Sequence, residues 1–81
     1  MLIKKFEGNS PKIDPKAFVA ETAVVIGKAE LKEYSSVWYN VTIRGDVNEI
    51  KVGRYTNVQD NSVLHAVSYT HLRAHETTLH L

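Results

Sequence analysis

The stretch "WYNVTIRGDVNEIKVGRYTNVQDNSVLH", residues 38–65, decides how this chain folds. Its apolar residues follow neither the 3.6-residue repeat of a helix nor the strict alternation of a half-buried strand. They recur every sixth residue. Counted outward from here, the sixth positions are Val19, Val25, Leu31, Val37 and Ile43, then, after three extra residues, Val52, Val58 and Leu64. All are aliphatic. Four residues later in these units stand Ala23, Ala29, Ser35, Val41, Thr56 and Ser62, all small or β-branched. The two registers predict a triangular solenoid in which a hexad makes one short strand and one corner. The aliphatic residue points inward, and the small one sits where the backbone turns. The expected fold class is all-β, a left-handed parallel β-helix over residues 17–66, truncated after about two to three coils. So short a solenoid, with an open lower edge, is a poor one by itself.

Ahead of the repeats, "NSPKIDPKAFVAETA" carries Pro11 and Pro15, which disfavour regular structure. Residues 1–16 therefore read as an extended lead-in that caps the first coil. The three-residue excess between Ile43 and Val52, within "RGDVNEIK", reads as a loop pushed out at one corner. Loops that interrupt a rigid scaffold tend to carry function.

With 81 residues, the chain is at the low end of what buries a self-sufficient core. A net charge of +1, with Lys and Arg dispersed, offers no basic stripe to neutralise phosphates, so nucleic acid is not expected as a partner. The absence of cysteine excludes disulfides, thiolate catalysis and Cys-type zinc sites and fits a reducing compartment. "MLIKKFEGNSPK" lacks the apolar core of a secretory signal, and no stretch approaches membrane-spanning length. The expected location is the cytoplasm, away from membranes.

Arg44 and Asp46 flank Gly45, so an extended backbone sends both to one face. Gln59 and His65 are one hexad apart and occupy equivalent positions on adjacent sides of the triangle, with Asp60 beside Gln59. A histidine with amide and carboxylate neighbours suits zinc chemistry, the imidazole ligating and its neighbours orienting a bound water. Spacing leaves other roles open. His65 could be an ordinary hydrogen-bonded residue at a strand end, and Arg44 with Asp46 a salt bridge or loop brace. Asn57 and Asn61 could serve turns, and Trp38 with Tyr39 could pack at a subunit contact.

"PKIDPKAFVAETAVVIG", "SSVWYNVTIRGD" and "IKVGRYTNVQDNSVLH" together resemble the gamma-class carbonic anhydrase-like family of hexapeptide-repeat proteins, over residues 11–66. The resemblance implies a homotrimer of β-helices with zinc, or alternatively iron or cobalt, at each subunit interface. It implies hydration of a small-molecule substrate, carbon dioxide, to bicarbonate by a water that the metal activates. By the same match, His65 is the first metal ligand and Gln59 positions the reactive oxygen. Arg44, Asp46, Asn57 and Asp60 shape the site and the subunit contacts. Related hexapeptide-repeat proteins are coenzyme A-dependent acyltransferases or non-catalytic trimeric scaffolds, so both stand as alternatives.

After Ala66 the hexad fails, because the continued count meets Thr70 and Glu76. No glycine follows Gly53, and the family's later glycine-flanked histidine pair has no match. His71 and His75 have a zinc-like spacing but not the family's surroundings. "VSYTHLRAHET" resembles the conceptual translation of a transposon sequencing adapter, so residues 67–81 are expected to be a tail foreign to the fold. The chain then reads as an N-terminal fragment, inactive without the remaining metal ligands. Local propensity from Tyr69 to Leu79 favours a short helix.

Overall fold

Hexads with one aliphatic and one small inward position form short parallel strands joined at tight corners, and the computed structural model has that architecture. It describes residues 1–66 and the backbone of 70–72. The strands are β1 (Leu2–Lys4), β2 (Lys12–Ile13), β3 (Phe18–Val19), β4 (Val24–Leu31), β5 (Ser36–Val37), β6 (Thr42–Val52), β7 (Asn57–Val58), β8 (Val63–His65) and β9 (Thr70–Leu72). Every pairing between them is parallel. Strands β4 and β6 each turn a corner and serve two faces. The first face stacks β1, the start of β4, the start of β6 and β8, in the register Ile3, Val25, Ile43, Leu64. The second stacks β2, the end of β4, the end of β6 and β9, in the register Ile13, Leu31, Val52, Leu72. The third stacks β3, β5 and β7, in the register Val19, Val37, Val58. From Val19 to Leu64 these columns are the sixth-residue positions read from the sequence, and Ile3, Ile13 and Leu72 extend them.

Both inward registers fill the core. Val25, Val37, Ile43, Val52 and Leu64 are 0 % exposed, and Ala23, Ala29, Ser35, Val41, Thr56 and Ser62 are also buried. Burial of each large aliphatic side chain contributes roughly 1.5–3 kcal/mol relative to exposure. The small residues are small because the corner backbone folds inward over them. Hydrogen bonds from Ser35 N to Lys32 O, Thr56 N to Gly53 O and Ser62 N to Gln59 O close the turns. Tyr34, Tyr55 and Asn61, third in those turns, have φ near +60°, as a type II turn requires. The buried Ser35 hydroxyl donates to Lys32 O at 2.6 Å, which removes the cost of an unpaired polar group.

One corner is tighter than the rest. Gly27 pairs in register with Gly45, and a Cβ on Gly45 would lie 2.4 Å from Lys28 O. Just beyond this contact the register slips, Gly27 opposite Gly45 but Ala29 opposite Ile50, so the extra residues stand where β4 has only Lys28. The excess between Ile43 and Val52 is thus at a corner, as expected, but it stays extended within β6.

Three sequence expectations change. The lead-in is not merely a cap, because β1 and β2 both pair with β4 and add rungs despite Pro11 and Pro15. The continued hexad count put Thr70 under Val52, whereas Leu72 stands there, two residues later. The helix expected from Tyr69 to Leu79 is replaced over Thr70–Leu72 by β9, because a free sheet edge satisfies backbone groups that local propensity alone would leave to a helix. The rest of that expectation, and His75, lie outside the described residues. Among those residues, no helix is long and apolar enough to cross a membrane.

Candidate metal-binding corner

The parallel pairing of β6 with β8 places Arg44 directly opposite His65. Ile43 and Leu64 beside them point into the core, so alternation turns Arg44 and His65 outward. Asp46, two residues after Arg44, faces the same way across the glycine contact. Its Oδ2 accepts a hydrogen bond from Arg44 Nη2 at 2.9 Å, and its Oδ1 accepts from Val47 N at 2.9 Å. The Arg44 hydrogen bond is the main reason that the Asp46 carboxyl is held below its ordinary value of 3.8. Desolvation opposes this, and the Val47 amide and the Arg44 charge reinforce it. Asp46 is therefore a firmly ionised carboxylate. The salt bridge that spacing left open for Arg44 and Asp46 is present, and His65 lies beside it.

Asp46 Oδ1 also lies 3.1 Å from His65 Nε2. The two form an ion pair only when the imidazole is protonated; Nε2 otherwise has no hydrogen-bond partner and is shielded from solvent. With the ring proton on Nδ1, Nε2 presents a lone pair on the same side as the Asp46 carboxylate, so the two can face one cation. That donor set suits a zinc-type ion. It is a partial set, since no cluster of three or more His, Cys, Asp or Glu residues occurs among the described residues.

The other expected residues do not join this corner. Asn57, in β7 on the third face, pairs with Ser36, whose hydroxyl donates to Asn57 Oδ1. Ser36 in turn accepts from Trp38 Nε1 at 3.0 Å. Gln59 and Asp60 are exposed at the corner between the third and first faces. Their side chains form no hydrogen bond or ion pair among the described residues, and the Gln59 carbonyl closes the turn. The candidates thus split, Arg44, Asp46 and His65 at one end of the first face and Asn57, Gln59 and Asp60 towards the other. Sequence reasoning missed Ser36, which fixes the Asn57 amide. The available signal was its 21-residue offset from Asn57, the same offset that separates Val37 from Val58 and Arg44 from His65.

No family model matches the chain. It is 50 % identical over 56 residues to gamma carbonic anhydrase 1, mitochondrial, of Arabidopsis thaliana, covering 69 % of this chain and 20 % of that protein. It is 39 % identical over 64 residues to a carbonic anhydrase of Geobacillus kaustophilus, covering 79 % and 35 %. A similar match, 41 % over 64 residues, is to the uncharacterized transferase YtoA of Bacillus subtilis, covering 79 % and 37 %. Among solved structures, a hexapeptide transferase family protein from Anaplasma phagocytophilum superposes with a TM-score of 0.84 at 39 % identity, over 88 % of this chain and 42 % of that one. The chain thus spans about a third or less of the curated relatives' length.

Proposed function

We propose, on the premise that this is a gamma carbonic anhydrase-like hexapeptide-repeat chain, that the full-length protein hydrates carbon dioxide to bicarbonate at a metal site to which His65 contributes. The observation that carries the proposal is the solvent-shielded Nε2 of His65, 3.1 Å from the ionised Asp46 carboxylate. Carbonic anhydrase relatives support a metal cofactor. Zinc is the metal we favour, with iron or cobalt as alternatives, and when bound it supplies a water activated at neutral pH. Asp46, kept ionised by Arg44, would shape the site beside the imidazole nitrogen. Gln59 would orient the reacting oxygen from a neighbouring face, with Asn57 and Asp60 shaping the surrounding contacts.

Because the two groups lie at separate ends of one face, association of copies into a homotrimer would bring Gln59 and Asp60 of one copy towards His65 of another. Residues 17–66 would carry the family's β-helix, residues 1–16 would cover its upper end, and residues 67–81 would be a tail foreign to the family, although Thr70–Leu72 pair with β6. On this reading the described residues alone are inactive. We place the protein in the cytoplasm.

Metal content and stopped-flow carbon dioxide hydration of the full-length protein test this reading. The expected result is loss of both in His65→Ala, and retention of metal with about 10- to 100-fold slower turnover in Gln59→Ala. A metal-replete His65→Ala protein with unchanged turnover would remove His65 from the mechanism. A second reading, a coenzyme A-dependent acyltransferase, is favoured by the transferase names of the structural neighbours. Saturable acyl-coenzyme A binding without hydration would select it. Trimers with neither activity would select a scaffold.

A further inference from the structure

We infer that the cleft beside the extended corner binds a small oxyanion, a phosphate or a carboxylate. The cleft is a cavity of about 270 Å³ bounded by Asn9 and Ser10 of the N-terminal turn, Lys12 of β2, Lys28 and Glu30 of β4, and Glu49 of β6. The extra residues of β6 make its lower wall, and the Phe6–Asn9 bridge, with Phe6 N donating to Asn9 O at 2.9 Å, fixes its upper one. Its volume lies just under the range of drug-sized pockets, which limits the ligand to a small one.

The charge of the cleft decides the class of ligand. Its two carboxylates are already engaged, Glu30 by Lys32 at 3.5 Å and Lys51 at 3.9 Å, and Glu49 by Lys51 at 3.9 Å. Lys12 and Lys28 have no ion pair among the described residues. Two uncommitted ammonium groups thus line a polar recess whose carboxylates are neutralised from outside, and the Ser10 hydroxyl adds a donor. An anion with two separated oxygens can be held by both lysines at once. Such attraction at an open site is screened by salt, so the affinity falls as ionic strength rises. This inference is independent of the metal chemistry, since none of these residues takes part in it.

Titration of the isotopically labelled 81-residue chain, read by amide chemical shifts, tests the inference. The probes are inorganic phosphate and malonate, each against chloride at matched ionic strength. Saturable shifts at Ser10, Lys12 and Lys28 are expected with at least one probe, and the probe that saturates distinguishes phosphate from carboxylate. Lys28→Gln and Lys12→Gln should each weaken binding about tenfold. Glu49→Gln should strengthen it, and Lys5→Gln, outside the cleft, should leave it unchanged. Shifts that never saturate, or an unaltered affinity in Lys28→Gln, would overturn the inference.

Discussion

Gly45 shows how one residue joins fold to site. The coils approach so closely at this point that a methyl group would collide with the Lys28 backbone, at 2.4 Å from its oxygen and 2.8 Å from its nitrogen. Backbone cannot yield as a flexible side chain would. Gly45→Ala should therefore destabilise the chain by about 1–3 kcal/mol, the usual cost of overpacking. A lower midpoint in urea with an unchanged slope is the expected observation. The same contact sets where Asp46 leaves the coil. Since the folded pKa of Asp46 lies below its ordinary value, its contribution to stability is present above about pH 3.8 and fades as pH falls through the lower folded value. Carboxyl NMR should show Asp46 titrating below 3.8, and Arg44→Ala should move it back towards that value.

Among the elements, the long strands β4 and β6 tie two faces together, so their inward residues matter to both. Ile43 is 0 % exposed between Val25 and Leu64. Ile43→Ala should cost about 2–5 kcal/mol, read as a lower melting temperature. The corners obey a different rule. Asn40 and Asn61 take positive φ at one corner, where asparagine is well tolerated, whereas Tyr34 and Tyr55 do so at the next. The tyrosine rings stack at 5.2 Å between centroids, with Lys16 over Tyr34 at 5.5 Å. Stacking worth about 0.5–1.5 kcal/mol offsets backbone strain of similar size. Replacing Tyr34 or Tyr55 by Asn should thus shift stability by less than about 1 kcal/mol. Replacing both should be non-additive, because the first change already removes the stack.

On the scale of the whole molecule, the faces differ in character. The outward column of the second face is charged, with Lys12, Glu30 and Lys51 in register. The third face carries Phe18 and Trp38 in contact at 4.8 Å. The first face bears the Arg44–Asp46 pair and His65. With His65 the one imidazole described and no cluster of three ligands among the described residues, the 81-residue chain should bind cobalt(II) weakly and without the absorption bands of a tetrahedral site. Tight stoichiometric binding would show that residues outside the described coils complete the site.

The sixth-residue pattern was legible because core burial is a local property: alternation and corner spacing alone decide that Val37 or Ile43 points inward. The Arg44–Asp46 pair was legible for the same reason, being two residues apart on one extended strand. By itself, the sequence determined the solenoid, its corners and the outward exposure of the polar residues. Only the tertiary structure decided which of them meet. Asp46 reaches His65 because the coils close tightly over Gly45, and Gln59 stays apart because a corner turns it to another edge. The Lys12–Lys28 cleft likewise forms only when the N-terminal turn stacks on β4. Such contacts depend on the angle at each corner and on how closely the coils approach there, which no local pattern of residues encodes.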